Sequence, residues 1–199
     1  MIAASAARSD PMPTNIPAER TALVIIDVQR ALFDPLPAEG EEVIVRINGL
    51  GARARAAGVP VVIVQHETAQ GALLHESPGW QLAHGLVAAA SDLRVRKRTP
   101  DSFLHTELHL LLARRDVRHL TVCGFASEFC VDTTVRSAAA KGYEVTLAAD
   151  AHTTHDKPHA TGLQIRTHEN RTLADITSFG VRIDAVPAAE IAFAAAGRP

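Results

Sequence analysis

Residues 21–27 read Thr-Ala-Leu-Val-Ile-Ile-Asp, an unbroken apolar run that ends in a carboxylate. Short runs rich in Val and Ile suit strands covered on both faces of a parallel sheet. The signature recurs at residues 60–65 (PVVIVQ), 119–124 (HLTVCG) and 144–149 (EVTLAA), and more weakly at 93–96 and 181–185. Helical periodicity fills the intervals. Residues 41–57 carry Val43, Ile44, Ile47 and Leu50 at helical spacing, and Gly58 and Pro60 stop them. Helices are also predicted at 104–114, at 127–141 closing on Gly142, and at 158–176 and 187–195, both with proline in the first turn. Strand and helix in alternation predict an α/β fold, with a parallel sheet, right-handed crossovers and helices on both faces. Residues 66–90, with Gly71, Pro78 and Gly79, fit neither period and read as a binding loop or lid.

The chain has 199 residues, 47% hydrophobic and 21% charged, with a formal net charge of -2. That balance fits one globular domain over residues 19–199, preceded by a flexible arm at 1–18. It gives no basic excess for nucleic acid or an acidic membrane surface. No apolar run is long enough to span a bilayer, and the first twenty residues lack a signal-peptide pattern. The two cysteines, Cys123 and Cys130, make no disulfide framework, so a reducing cytoplasm is the expected compartment.

Ligands of open α/β sheets bind beyond the carboxyl ends of the strands. Asp27, Gln65-His66-Glu67, Lys97, the stretch from Gly124 to Cys130 and Asp150 all fall there. Cys130 opens a helix after a buried strand, where the helix dipole lowers a thiol pKa and unpaired N–H groups can receive an oxyanion. Cys123 lies inside the strand and reads as a packed core thiol. Asp27 is a candidate general acid or base at its strand end. Lys97, within Arg94-Val-Arg-Lys-Arg98, reads from its neighbours as a solvated basic edge. Among ten histidines, His105 and His109 share a predicted helix face, but His-Thr-Glu-Leu-His is not the HExxH zinc pattern. His152 and His155 are weak candidates at a strand end. Neither GxGxxG nor GxxxxGK[ST] occurs, which removes the main support for dinucleotide or P-loop functions.

Three motifs in order carry a resemblance over residues 21–183. They are Leu-Val-Ile-Ile-Asp27-Val-Gln29, Lys97-Arg-Thr-Pro-Asp-Ser-Phe103, and Val-Cys-Gly124-Phe-Ala-Ser-Glu-Phe-Cys130-Val131 with Thr133-Thr-Val-Arg-Ser-Ala-Ala and Gly142-Tyr143 behind it. Together they resemble the isochorismatase-like cysteine hydrolases, which include nicotinamidases, N-carbamoylsarcosine amidases, biuret-type and ureidoacrylate amidohydrolases, and isochorismatases. The resemblance implies a three-layer α/β/α sandwich on a mostly parallel six-stranded sheet and a homodimer or homotetramer. It implies a triad of Asp27, Lys97 and Cys130. It also implies a cis bond between Phe125 and Ala126 that turns the Ala126 N–H towards the Cys130 N–H as an oxyanion hole. Nicotinamidases carry an Asp-x-His metal motif after the second strand; here the place reads Val64-Gln65-His66-Glu67. Neither a metal nor nicotinamide is therefore expected, and no cofactor is needed.

The expected reaction is hydrolysis of a C–N bond in a small amide, carbamoyl compound or lactam. Cys130 attacks, Asp27 moves protons, Lys97 holds the carboxylate, and water releases the acid from a thioester. Phe33, His66, Trp80, Phe125 and Phe129 are candidate substrate contacts, with Trp80 as a lid residue. The rivals are vinyl-ether hydrolysis of the isochorismatase type, which usually lacks the cysteine, a silent binding protein on the same fold, and a thiol redox sensor, for which Cys123 is too buried to resolve Cys130.

Overall fold

The computed structural model describes residues 15–17 and 20–194. Strands β2 (Thr21–Ile26), β3 (Val61–His66), β4 (Leu93–Lys97), β5 (His119–Phe125), β6 (Glu144–Thr153) and β7 (Ile183–Val186) form one sheet in the order β4-β3-β2-β5-β6-β7. All its pairings are parallel. The two central strands, β2 and β5, are buried along their whole length. This is why their sequences are continuous apolar runs and not alternating ones.

Successive side chains of β2 point to opposite faces. Leu23 and Ile25 join Val43, Ile47 and Leu50 of helix α1 (Gly40–Ala56) in one core. Ala22, Val24 and Ile26 join the other core, with α2 (Leu108–Ala113), α3 (Asp132–Ala140) and α4 (Gly162–Asp175). Each buried Leu or Ile contributes about 1.5–3 kcal/mol, so burial on both faces stabilises the central strands. The parallel six-stranded sheet between helical layers is the expected α/β fold.

The elements differ from the sequence expectation where local chemistry overrides periodicity. The predicted helix at 104–114 shrinks to Leu108–Ala113, because His105 takes a left-handed backbone (φ 56) and Leu104 faces solvent. The helix predicted from Pro158 starts only after Thr161, whose hydroxyl accepts from the Gln164 N–H while Gln164 accepts from the Thr161 N–H. That reciprocal cap fixes the start more strongly than proline does. At 187–195 no α-helix forms among the described residues: a 3-10 turn at Ala188–Glu190 leads into β8 (Ala192–Ala194). β8 pairs in parallel with β1 (Asn15–Pro17), which therefore takes part in structure although it falls in the expected arm; residues 1–14 and 18–19 lie outside the described residues. The helix predicted at 127–141 begins as a π-helical turn, Ser127–Val131, before α3.

Two features shape the carboxyl edge. Gly124 has φ 123, and a Cβ there would collide with the Ile26 carbonyl oxygen across the β2–β5 ladder. The peptide bonds Asp34–Pro35 and Phe125–Ala126 are cis. No helix among the described residues is long and apolar enough to cross a membrane.

Candidate active site

Asp27, His66, Lys97 and Cys130 meet where β2, β3, β4 and the turn after β5 end side by side. Asp27 leaves its strand with a left-handed backbone (φ 52), its N–H bonded to the Val64 carbonyl. Aspartate tolerates that conformation better than most residues. Lys97 is the last residue of β4, and its ammonium points inward although Arg94, Arg96 and Arg98 around it are exposed. A strand alternates faces, so alternate basic residues of one run have opposite fates. The solvated-edge reading of Lys97 is therefore corrected: it is 2% exposed.

The Lys97 Nζ lies 2.7 Å from Asp27 Oδ2, 3.1 Å from Cys130 Sγ and 3.3 Å from His66 Nδ1, and donates to the Thr99 carbonyl at 3.0 Å. An ammonium has three protons and no lone pair. Four partners face those three protons, and the His66 contact is the longest of them. Burial first, and the Lys97 charge second, hold the His66 pKa below its ordinary value. Asp27 is 1% exposed; while Oδ2 meets Lys97, Oδ1 is buried without a hydrogen-bond partner.

Cys130 is half-buried in the π-helical turn. The surroundings of the thiol act against the lowering expected of a helix start. Burial pushes the Cys130 thiol up to about 12, the Asp27 charge adds to this, and Lys97 opposes it. At rest the sulfur keeps its proton, with a base and a cation already around it. Cys123 is completely buried in β5, as expected of a core thiol.

Asp27, His66 and Cys130 bring one ligand atom each within 4.8 Å of one another, a donor set that zinc also uses. The Lys97 nitrogen sits among all three, so the positive charge at their centre is an ammonium.

The surroundings hold these groups rigidly. Gln29, fully buried, donates to the His66 carbonyl at 2.9 Å and accepts from the His66 N–H at 2.8 Å, extending the sheet with a side chain. Its Nε2 also reaches the Trp80 carbonyl at 3.0 Å, as does Gln65 Nε2. The irregular segment after β3 is thus pinned at Trp80, the residue expected to move as a lid; the indole ring packs edge-on against His75. The loop after Lys97 is tied to α3 by Thr134 Oγ1, which bonds Ser102 Oγ at 2.8 Å, and by Ser137 Oγ to Asp101 at 2.9 Å. These bonds fix the distance between Lys97 and Cys130.

Of the expected substrate contacts, only His66 reaches the cluster through a hydrogen bond among the described residues. Phe33 and Phe125 belong to the α1-side core, with ring centroids 5.8 Å apart. Phe129 is 53% exposed, its ring under the Lys157 ammonium at 5.3 Å, beside a cavity of about 610 Å³ also lined by Gln164 and His168. His155 packs against Phe125 and bonds the Leu32 carbonyl. Asp150 caps the Ala188 N–H and pairs with Arg46, away from the cluster. His105 and His109 are not paired: His109 bonds the Tyr143 hydroxyl from α2, and His105 precedes that helix. Sequence reasoning missed Gln29 as a scaffold and the Thr99 carbonyl as a lysine acceptor. Gln29 could have been found from its place two residues after the strand-end aspartate.

The model of the isochorismatase domain matches residues 21–178 of the chain. A streptothricin hydrolase of Streptomyces noursei is 37% identical over 185 residues, covering 89% of this chain and 73% of that protein. A ureidoacrylate amidohydrolase, RutB, of Caulobacter vibrioides is 26% identical over 184 residues, covering 73% of this chain and 76% of its own length. A crystal structure of an isochorismatase from Pseudomonas putida KT2440 superposes with a TM-score of 0.80 at 31% identity, covering 92% of this chain and 94% of that one.

Proposed function

The chain belongs to the isochorismatase family, and from that premise we propose that it is a cysteine-dependent amidohydrolase that opens a C–N bond in a small amide, carbamoyl compound or lactam. The observation that carries this reading is the Lys97 ammonium in contact with both the Asp27 carboxylate and the Cys130 sulfur. The hydrolase and amidohydrolase names of two relatives support it. A retained nucleophile favours attack on a carbonyl over vinyl-ether cleavage.

Asp27 Oδ1 takes the Cys130 proton, the single negative charge passes to the sulfur, and Lys97, in contact with both groups, holds it there. The thiolate attacks the carbonyl carbon, and the oxyanion is received by the N–H groups of Ala126 and Cys130. One such donor is worth about 2.7–4 kcal/mol in the transition state. The carboxylic acid of Asp27 then gives its proton to the leaving nitrogen, and the C–N bond breaks to leave a thioester. Asp27 next removes a proton from water, whose oxygen attacks the thioester. The thiolate departs and recovers the proton from Asp27, and the acid is released. His66 stands at the edge of the cluster as a polar contact for substrate.

The test is a screen for ammonia or amine release over acyl-ureas, carbamoyl compounds and lactams. Wild type is compared with Cys130→Ala and Asp27→Asn, and intact-mass measurement looks for an acyl adduct on Cys130. Turnover lost in both variants, with an adduct on wild type, is the expected result. Equal turnover in wild type and Cys130→Ala would overturn the assignment.

A further inference from the structure

A buried polar chain runs from α4 to the turn that carries the oxyanion donors. Asn170 Nδ2 donates to the Ala149 carbonyl at 2.8 Å, which fixes the orientation of the amide. Its Oδ1 must therefore accept from His152 Nε2, 2.8 Å away. With its proton on Nε2, His152 presents a bare Nδ1, and the Ser127 hydroxyl, 2.8 Å from it, has to donate there. Every direction in the chain follows from the first bond. Ser127 and His152 are completely buried.

The place of this chain in the fold is specific. His152 stands opposite Gly124 in the β5–β6 ladder, just past a slip in register that follows the Val122–Leu147 pair. It therefore projects from β6 at the level where β5 ends. Ser127 directly follows Ala126, whose carbonyl accepts from the N–H groups of Phe129 and Val131, the two neighbours of Cys130. Ala126 is thus gripped through its carbonyl by the turn around the sulfur, and through Ser127 by the sheet. An apolar side chain in place of Ser127 would leave the buried His152 Nδ1 without a donor, so the three side chains stand or fall as one chain. What the polar chain adds is a fixed orientation for the peptide that precedes it.

We propose that Ser127, His152 and Asn170 are positioning residues that aim the Ala126 N–H at the developing oxyanion, an inference that rests on the reading of Cys130 as the nucleophile. Misplacing a preorganised donor by a fraction of an ångström weakens it where charge develops, without touching the sulfur.

The experiment uses two reagents that see the same sulfur differently. p-Nitrophenyl acetate acylates a thiolate through a tetrahedral oxyanion, releasing nitrophenolate; iodoacetamide alkylates it by direct displacement of iodide, with no oxyanion. Ser127→Ala is expected to lower the acylation rate about 10–100-fold, as misaiming a preorganised donor does, and to leave alkylation nearly unchanged. Ser127→Thr, which keeps the hydroxyl, should bring acylation back close to the wild-type rate. Acylation by Ser127→Ala at the wild-type rate would overturn the proposal. So would acylation and alkylation falling together, which marks a merely structural role. Failure of wild-type Cys130 to acylate at all, with alkylation intact, would instead sink the nucleophile reading and this inference with it. The wild-type arm alone reports that outcome, so the two failures stay distinct.

Discussion

The Lys97 ammonium and the Asp27 carboxylate form an ion pair of 2.7 Å in which both side chains are sealed from solvent. Such a pair is costly to assemble and far more costly to break, because the survivor is left as an uncompensated charge. Lys97→Met should therefore lower unfolding stability by about 3–5 kcal/mol, read from urea melts. Adding Asp27→Asn to it should recover part of the loss, as no charge is then left alone. A double variant no more stable than Lys97→Met would contradict the pairing.

The sulfur titrates late. With its pKa pushed up to about 12, the Cys130 thiol is protonated across the neutral range, and the thiolate fraction grows as pH rises. Iodoacetamide alkylation of the free protein should climb about tenfold per pH unit between roughly pH 7 and 9, without a plateau. A plateau near neutral pH would mean a thiolate at rest and a different first step.

Acid weakens the fold through two histidines. His119 and His152 are both held down to about 4, burial being the leading cause, so they stay neutral when folded while the unfolded chain takes up protons from about pH 6.5 downward. Stability is then present above the ordinary pKa and lost as pH falls from 6.5 through 4, by up to ~3 kcal/mol for each. His119 Nδ1 is buried without a partner, so a second proton there has nowhere to bond. His119→Asn should flatten the slope of melting temperature against pH in that window; an unchanged slope would exclude His119 as a source.

Glu169 works with the opposite sign. Burial, and then the Asp132 charge, push its pKa up to about 7. The folded state holds this proton more tightly than the unfolded one, so its contribution is lost as pH rises from about 4.5 through 7. Glu169→Gln should match wild type near pH 5 and exceed its stability near pH 8 by about 1–2 kcal/mol. A gain of equal size at both values would point to packing, not ionisation.

Gly124 cannot carry a side chain. Its φ of 123 and the Ile26 carbonyl oxygen against its α-carbon leave no room for a Cβ. Gly124→Ala should cost about 3 kcal/mol or more, seen as a lower melting temperature, and should reduce amide turnover because this residue leads into the Phe125–Ala126 turn. Wild-type stability in this variant would refute the close approach.

Much of this protein is fixed by its sequence alone. Continuous apolar runs at β2, β3, β5 and β6 fit a parallel sheet buried on both faces, and the motifs around Asp27, Lys97 and Cys130 put three candidate reactive side chains at its carboxyl edge. Hydrophobic period is a local property, so it survives reading one residue at a time. The tertiary structure decided what is not local. Lys97 in a run of arginines looks solvated until strand pairing turns it towards Asp27, and a thiol at a helix start looks acidic until its burial beside the Asp27 carboxylate is seen. Gln29 meets His66 and Trp80, and Ser127 meets His152 and Asn170, across separations that no pattern along the chain encodes. Charge, solvation and hydrogen-bond direction depend on which distant atoms become neighbours, and only the folded chain brings them together.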